Sequence, residues 1–571
     1  MALYIGRREL RRDVAAARRR GRSTPRVVIV GAGLSGLGFA IQLIRSGVRD
    51  FTIVEQSDGV GGTWRDNTYP GSGCDVPSHL YSFSFAPKSD WTRRFAEQPE
   101  ILDYAEWCVE RFRIGPHLRL GTTVLGAEFD EPSGVWNLTV APRDPDGGVG
   151  AATAGEPGVN GVDGATGEPG GTGVIHADTV IFACGQLNRP FIPDVPGLDR
   201  FAGPAWHSAR WDHRSDLAGR RVAVVGSGAS AIQFVPPVAA RAASVTIYQR
   251  SPNYVGPKKD RPYSARTRWM LERVPAVERA YRWWIYWILE SRWLWFRKDS
   301  WAGRQLGRLF IKGIRADVVS ERLPEESVVP DYPVGCKRIL ISNDWYPALM
   351  RSTVEVVDRP IDHIESDAVV TVDGQRRPAD VLIFGTGFVT TEFLSHIPVT
   401  GEGGRRLSDQ WARGAHAYRG VAVAGFPNLY LLYGPNTNLG HNSILFMVER
   451  QINLILQAVA LQTRTSTRTT ARTPAAGPGT GMTGRVGVTP EAYRRDDERT
   501  QELMAATTWV TGCTSWYKSG SGRVTNNWPT WTVRYWFDTL RLRRSELGPV
   551  SPPTAATTGS ATAGPATATA R

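Results

Sequence analysis

Twice in this chain a short apolar, β-branched run ends in a glycine-rich turn that opens a helical pattern. The first is Val27 to Val30, followed by Gly31-Ala32-Gly33-Leu34-Ser35-Gly36 and the helical stretch Leu37 to Ile44. The second is Arg221 to Val225, followed by Gly226-Ser227-Gly228-Ala229-Ser230-Ala231. A third apolar run, Val381 to Phe384, closes on Gly385-Thr386-Gly387. Strand, glycine turn and helix in that order specify a doubly wound parallel sheet, and the free N–H groups at such a helix start receive a pyrophosphate. The expected fold class is α/β, with two Rossmann-like dinucleotide-binding domains.

The residues ending the next strands distinguish the two cradles. Glu55 lies nineteen residues after Gly36, at the end of Phe51 to Val54. A carboxylate there accepts hydrogen bonds from ribose hydroxyls and repels a 2′-phosphate, which fits FAD or NAD. After Val245 to Tyr248 the chain instead reads Gln249-Arg250-Ser251. A guanidinium and a hydroxyl suit the 2′-phosphate of NADPH. Two such sites in one chain imply electron transfer between two cofactors.

With 571 residues and 41% hydrophobic content, the chain can build several cores. No run of about 18 apolar residues predicts a transmembrane helix, and the Arg-rich start lacks the apolar core of a secretory signal. Cys74, Cys108, Cys184, Cys336 and Cys513 are odd in number with no CxxC pair. That argues against a disulfide framework or a zinc site and for a reducing, cytoplasmic location.

The net charge of +13 would suit nucleic acid, but nine arginines against Glu9 and Asp13 before residue 27, and four unopposed arginines within 463–485, carry most of it. The excess therefore reads as solvated appendages, with no nucleic-acid partner and no membrane partner expected. Three stretches are low in complexity and expected to be disordered: 144–173, 463–484 and 549–571. The expected organisation is a disordered basic arm over 1–25, an FAD-binding domain made of 26–185 and 385–540, and an NADPH-binding domain over 186–384. Within the latter, residues 261–320 alternate Trp and Tyr with Arg and Glu at helical spacing. This predicts a helical subdomain whose aromatics pack on the rest of the protein, the alternative being an amphipathic helix lying on a membrane.

Between the cradles stand Phe201, Gly203, His207, Trp211 and Asp212, spaced as FxGxxxHxxxW followed by an acid. Earlier, Gly61-Gly62-Thr63-Trp64 continues to Tyr69-Pro70-Gly71 and Asp75. With both cradles, these motifs make the chain resemble class B flavoprotein monooxygenases of the Baeyer-Villiger type from about residue 26 to 540. The resemblance implies an FAD-containing, NADPH- and O2-dependent enzyme converting ketones to esters or lactones through a C4a-peroxyflavin. Residue by residue, Asp75 is similar to the active-site carboxylate that orients an arginine, and Gly335-Cys336-Lys337-Arg338 is similar to the family's Lys-Arg pair. Arg338 would then stabilise the peroxide anion and the oxyanion of its carbonyl adduct, and Lys337 would join Arg250 at the 2′-phosphate. The resemblance places Thr63, Trp64, Arg65, Asp66 and Tyr81 around the flavin and Trp516 near nicotinamide and substrate. Tyr433 to Asn438 is similar to the loop crossing the flavin, departing from its commoner GPxSP form. His207 suits a hinge coupling NADP(H) binding to domain motion, with proton transfer as the alternative; His441 reads as structural. Oxygenation at sulfur or nitrogen is the nearest rival activity, and a flavin reductase without oxygen insertion is the rival from another class.

Overall fold

A computed structural model describes residues 4–143, 171–466, 484–512 and 515–550. Two five-stranded parallel sheets organise it. The first runs Leu429–Leu431, Thr179–Phe182, Val27–Val30, Phe51–Val54, Leu118–Arg119; the second runs Val354–Val357, Ser244–Tyr248, Arg221–Val225, Val381–Phe384, Ala205–His207. Val27 pairs with Phe51 and Val30 with Val54, and Val245 pairs with Val222. The central strands are apolar and buried along their length, as parallel strands covered on both faces must be. An antiparallel sheet, Thr122–Asp130, Val135–Pro142 and Gly173–Ala177 with the short Val399–Thr400 at its edge, sits beside the first.

In chain order, the helices that shape the site and its surroundings are α1 (Ile5–Arg19), α2 (Leu34–Ser46), α3 (Ala231–Ala239), α4 (Ala265–Arg273), α5 (Pro275–Ser291), α6 (Trp301–Asp317) and α7 (Ile444–Thr465). Helices α2 and α3 follow the two glycine turns directly, each starting where a strand's carboxyl end leaves room for a phosphate. Helix α7 is the one described helix long and apolar enough to cross a bilayer, and it is buried in the core.

The N-terminal segment corrects the sequence reading. Expected as a disordered arm, it contains α1, with Leu10, Val14 and Ala17 buried. Gly6 approaches α7 so closely that a Cβ would meet the Asn453 carbonyl oxygen at 2.3 Å. Tyr4 donates a hydrogen bond to Glu449 (2.8 Å), and Arg464 reaches Asp13 at 3.3 Å. Nine arginines drew attention to charge, while the spacing 10, 14, 17 had already marked one apolar face.

The low-complexity stretches 144–173, 463–484 and 549–571 fall mostly outside the described residues, but their edges are structured. Strand Gly173–Ala177 pairs with Val135–Pro142, Thr463 and Ser466 are buried at the end of α7, and Leu547–Pro549 pairs with Val486–Val488. Cys336 is disulfide-bonded, which removes the ground for inferring a reducing compartment from cysteine count; Cys513 lies outside the described residues. The helical region divides its aromatics. Tyr286 and Trp293 are buried, whereas Trp269, Trp283, Trp284, Trp287 and Trp301 face outward, so the expectation that they pack on the protein holds for only part of the set.

Candidate active site

A single cavity of about 840 Å³ joins the two cradles. Gly31, Gly33 and Ser35 line it on one side, and Gly226, Gly228, Ala229 and Ser230 on the other. Gly31 and Gly226 adopt φ of +105° and +103°, a region that favours glycine. Gly36 lies behind the cavity wall: a Cβ there would stand 2.0 Å from the Gly31 carbonyl oxygen. Ala231 is likewise buried in the start of α3. Gly33 differs. Its hypothetical Cβ meets nothing nearer than Gly62 Cα at 3.8 Å, so the protein itself leaves that space for a close-lying group. Both cradles thus have the clearance that a pyrophosphate needs.

Glu55 is buried at the mouth of the first cradle, accepting hydrogen bonds from the N–H groups of Ala32 (2.7 Å) and Ser57 (2.9 Å); burial pushes its carboxyl above the ordinary range. On the second cradle, Lys337 Nζ bonds Ser251 Oγ and stands 4.4 Å from the Tyr332 ring centre, while Arg250 lines the cavity beside it. Desolvation and then the charge of Arg250 pull the Lys337 ammonium below its ordinary pKa. Two adjacent cations with a hydroxyl, and no ion pair to either among the described residues, suit a dianionic phosphate.

Asp75 and Arg338 meet between the cradles. The Nε of Arg338 donates to Asp75 Oδ2 at 3.1 Å and an Nη donates to the same oxygen. The Asp75 charge raises Arg338 above its ordinary pKa, so the guanidinium stays charged. Two phenols, the buried Tyr517 and the half-buried Tyr433, flank it; desolvation pushes Tyr517 up to about 12 and Tyr433 upward as well. Tyr433 holds φ +60°, donates through its hydroxyl to Asn438 (2.7 Å), and its N–H donates to Gln451 (2.8 Å).

The other expected residues divide. Thr63, Trp64, Asp66, Tyr81 and Trp516 line the cavity, and Trp64 Nε1 donates to the Tyr81 hydroxyl (3.1 Å). Arg65 does not line it: its guanidinium turns to Asp58 (2.7 Å). None of Phe201, Gly203, His207, Trp211 and Asp212 lines it either. Trp211 packs at 5.4 Å from the ring of Phe234 of α3, which also meets the Tyr69 ring at 6.0 Å. Gly203 lets the chain pass Asp380, whose carbonyl oxygen a Cβ would meet at 2.2 Å. Phe201 packs in the core beside Leu382 and Phe384, and Asp212 closes a turn with Ser215 Oγ (2.8 Å). His207 ends the edge strand of the second sheet, accepts the Ala209 N–H at Nδ1 (3.1 Å), and is pulled down to about 4 by burial.

Sequence reasoning missed Gln233 and Gln186. Gln233 on α3 accepts from the Tyr69 hydroxyl (3.0 Å) and donates to the Gly73 carbonyl (2.9 Å), tying the Tyr69 to Asp75 segment to the second cradle. Gln186 donates to the Tyr433 carbonyl (3.1 Å) and accepts from Asn526 (3.2 Å). An amide following no motif carries no signal until its partners are in place.

Two parallel-sheet units face one cavity, one carrying a buried acid and the other paired cations, an arrangement suited to an enzyme that brings two dinucleotides together. Residues 29–98 match the NAD(P)-binding Rossmann-like domain family and residues 162–397 the flavin-binding monooxygenase-like family. The chain is 37% identical over 536 residues to a Baeyer-Villiger monooxygenase of Streptomyces coelicolor, covering 92% of this chain and 93% of the relative. It is 39% identical over 512 residues to one of Pseudomonas aeruginosa, covering 89% and 88%. Among solved structures, oxidized steroid monooxygenase bound to NADP aligns with TM-score 0.72 at 28% identity, covering 91% of this chain and 97% of that one. The chain belongs to the Baeyer-Villiger monooxygenases. It is an NADPH-dependent flavoprotein monooxygenase that takes FAD.

Proposed function

We propose that the protein inserts one oxygen atom of O2 beside the carbonyl of a small-molecule ketone, giving an ester or lactone, and that Arg338 and Asp75 carry the step. The Gly31–Gly36 turn and Glu55 would hold FAD; the Gly226–Ala231 turn, Arg250, Ser251 and Lys337 would hold NADPH. Bound FAD, reduced by NADPH, supplies the oxygen activation.

Arg338 contributes a cation that does not lose its proton and that would stabilise negative charge developing on the carbonyl oxygen. Asp75 fixes its plane through two bonds to one oxygen. The Tyr433 and Tyr517 hydroxyls, raised by burial, stay protonated and add no competing anion. Leu439, Ile397 and Leu445 give the same cavity apolar lining, which a bound substrate and cofactors would complete to keep water from the charge pair. The strand Leu429–Leu431 completes the first sheet from far along the chain, which supports the FAD unit being split between 26–185 and 385–540 around the NADPH unit.

The observation that carries this reading is the Asp75–Arg338 pair inside the cavity shared by both cradles. Arg338→Ala, assayed with a ketone and with a thioether, tests it. Loss of ester with sulfoxide formation kept supports the proposal, and undiminished ester formation overturns it.

A further inference from the structure

Helix α5 is inside out. Its inner side holds Glu278 and Glu290 beside Ile285, Tyr286 and Leu289, and Glu290 is 0% exposed. Hydrogen bonds from Asn442 (2.8 Å) and Thr532 (2.7 Å), with His441 Nε2 at 3.5 Å, satisfy that carboxylate. The outer side carries Ala276, Ala280, Trp283, Trp284, Trp287 and Ile288, a spacing of three and four that forms one stripe, and Trp287 is 55% exposed. Helix α4, packed against α5, adds Trp269, 60% exposed, and Met270; Val274 joins the two helices and is exposed too. A patch of this kind on a single chain marks an interaction surface.

Charge selects the partner. Residues 265–317 contain twelve Lys and Arg against five Asp and Glu, and two of those acids are the buried Glu278 and Glu290. Arg266, Arg268, Arg273 and Arg279 are exposed on α4 and α5, and none makes an ion pair among the described residues. Tryptophan at the level of the headgroups, flanked by arginines that meet anionic lipid, is the chemistry of a helix lying in a bilayer interface. We propose that the α4–α5 face docks on an anionic lipid surface.

The position of the face gives the docking a use. The inner side of α5 packs on Leu80 and Val76, and Arg282 donates to the Ser82 carbonyl (2.8 Å), so α5 covers the segment that begins at Asp75. One helix thickness, ~10 Å, separates lipid from the cavity wall at Val76 and Asn442. Docking there would hold the cavity within a helix thickness of apolar substrate dissolved in the bilayer. The docking itself does not depend on which substrate the enzyme oxidises.

The test uses the full-length, FAD-loaded protein and vesicles of phosphatidylcholine with or without phosphatidylglycerol. The expected result is co-sedimentation at least fivefold greater with phosphatidylglycerol, falling as salt rises, with tryptophan emission quenched by brominated acyl chains. The variant W283S/W284S/W287S should lose at least tenfold in partitioning while keeping its FAD content and NADPH oxidation. The charge variant R266E/R268E/R273E should lose the phosphatidylglycerol preference. Failure of the parent protein to bind phosphatidylglycerol vesicles overturns the proposal. So does a tryptophan variant that binds like the parent, or a homodimer of the parent that this variant dissociates, since the face would then be covered by a second copy.

Discussion

Asp75 and Arg338 stand 263 positions apart in the chain and are joined by two hydrogen bonds to a single carboxylate oxygen. One comes from the segment after the first cradle and the other from the stretch leading out of the helical region, so the pair forms only when both dinucleotide units are assembled. Its geometry is one-sided: the Asp75 oxygen Oδ2 takes both donors.

That asymmetry sets the first prediction. Asp75→Asn keeps the shape but removes the charge that orients the guanidinium, and kcat/KM for a ketone should fall by ~10²–10³. The KM for NADPH should change less than about threefold, because Arg250 and Lys337, proposed for the 2′-phosphate, line the other cradle. Steady-state kinetics with both substrates varied checks the split.

The proposed 2′-phosphate site rests on Arg250 and Lys337, which make no ion pair among the described residues. Arg250→Ala should raise the KM for NADPH by ~10–100-fold, the loss of a charge-assisted hydrogen bond, and leave that for NADH nearly unmoved. Equal losses for both nicotinamides would show that Arg250 acts on the fold instead.

The two glycines of the first turn should separate folding from cofactor binding. Gly36→Ala places a Cβ against the Gly31 carbonyl and should lower Tm by ~5–10 °C. Gly33→Ala meets no protein atom closer than 3.8 Å, at a backbone φ of −70°. It should keep Tm in the FAD-free protein and lose most of its bound flavin, read from the visible absorbance of the purified protein.

Helix α1 should be a structural element despite its charge. Leu10→Ala empties a fully buried position and should cost ~2–5 kcal/mol, seen as a lower Tm with kcat at 20 °C unchanged. An unaltered Tm would mean that α1 is not docked on α7.

Acid should weaken the fold through buried imidazoles. Burial pulls both His207 and His79 from an ordinary 6.5 down to about 4. The unfolded chain then binds more protons than the native one between those values, so the contribution is complete above pH 6.5 and is lost as pH falls toward 4. His207→Gln should flatten the slope of Tm against pH in that window, and an unchanged slope would refute the assignment.

What the sequence made legible was local. Gly31 to Gly36, Glu55 and Arg250 follow their strands at fixed offsets, so chemistry could be read from position alone. Lys337 and Arg338 follow no such rule; they were found through the family's Lys-Arg pair, because Asp75 is a neighbour only in three dimensions. Gln233 and Gln186 were invisible for the same reason. On α5 the spacing announced two faces, yet both carry aromatics, and nothing local says that Glu290 would go inward to meet Asn442 and Thr532 while Trp287 stays out. Arg65 was placed at the flavin by resemblance, and Asp58, seven residues upstream, holds it elsewhere.

The docking of α1 on α7 has a consequence for biosynthesis. Tyr4 and its acceptor Glu449 are separated by 445 positions, so at ~5–20 residues per second the ribosome needs about 20–90 s to deliver the partner. Throughout that interval the apolar side of α1 is uncovered on the nascent polypeptide, which makes the opening residues a natural client for chaperones and their sealing one of the last events of maturation.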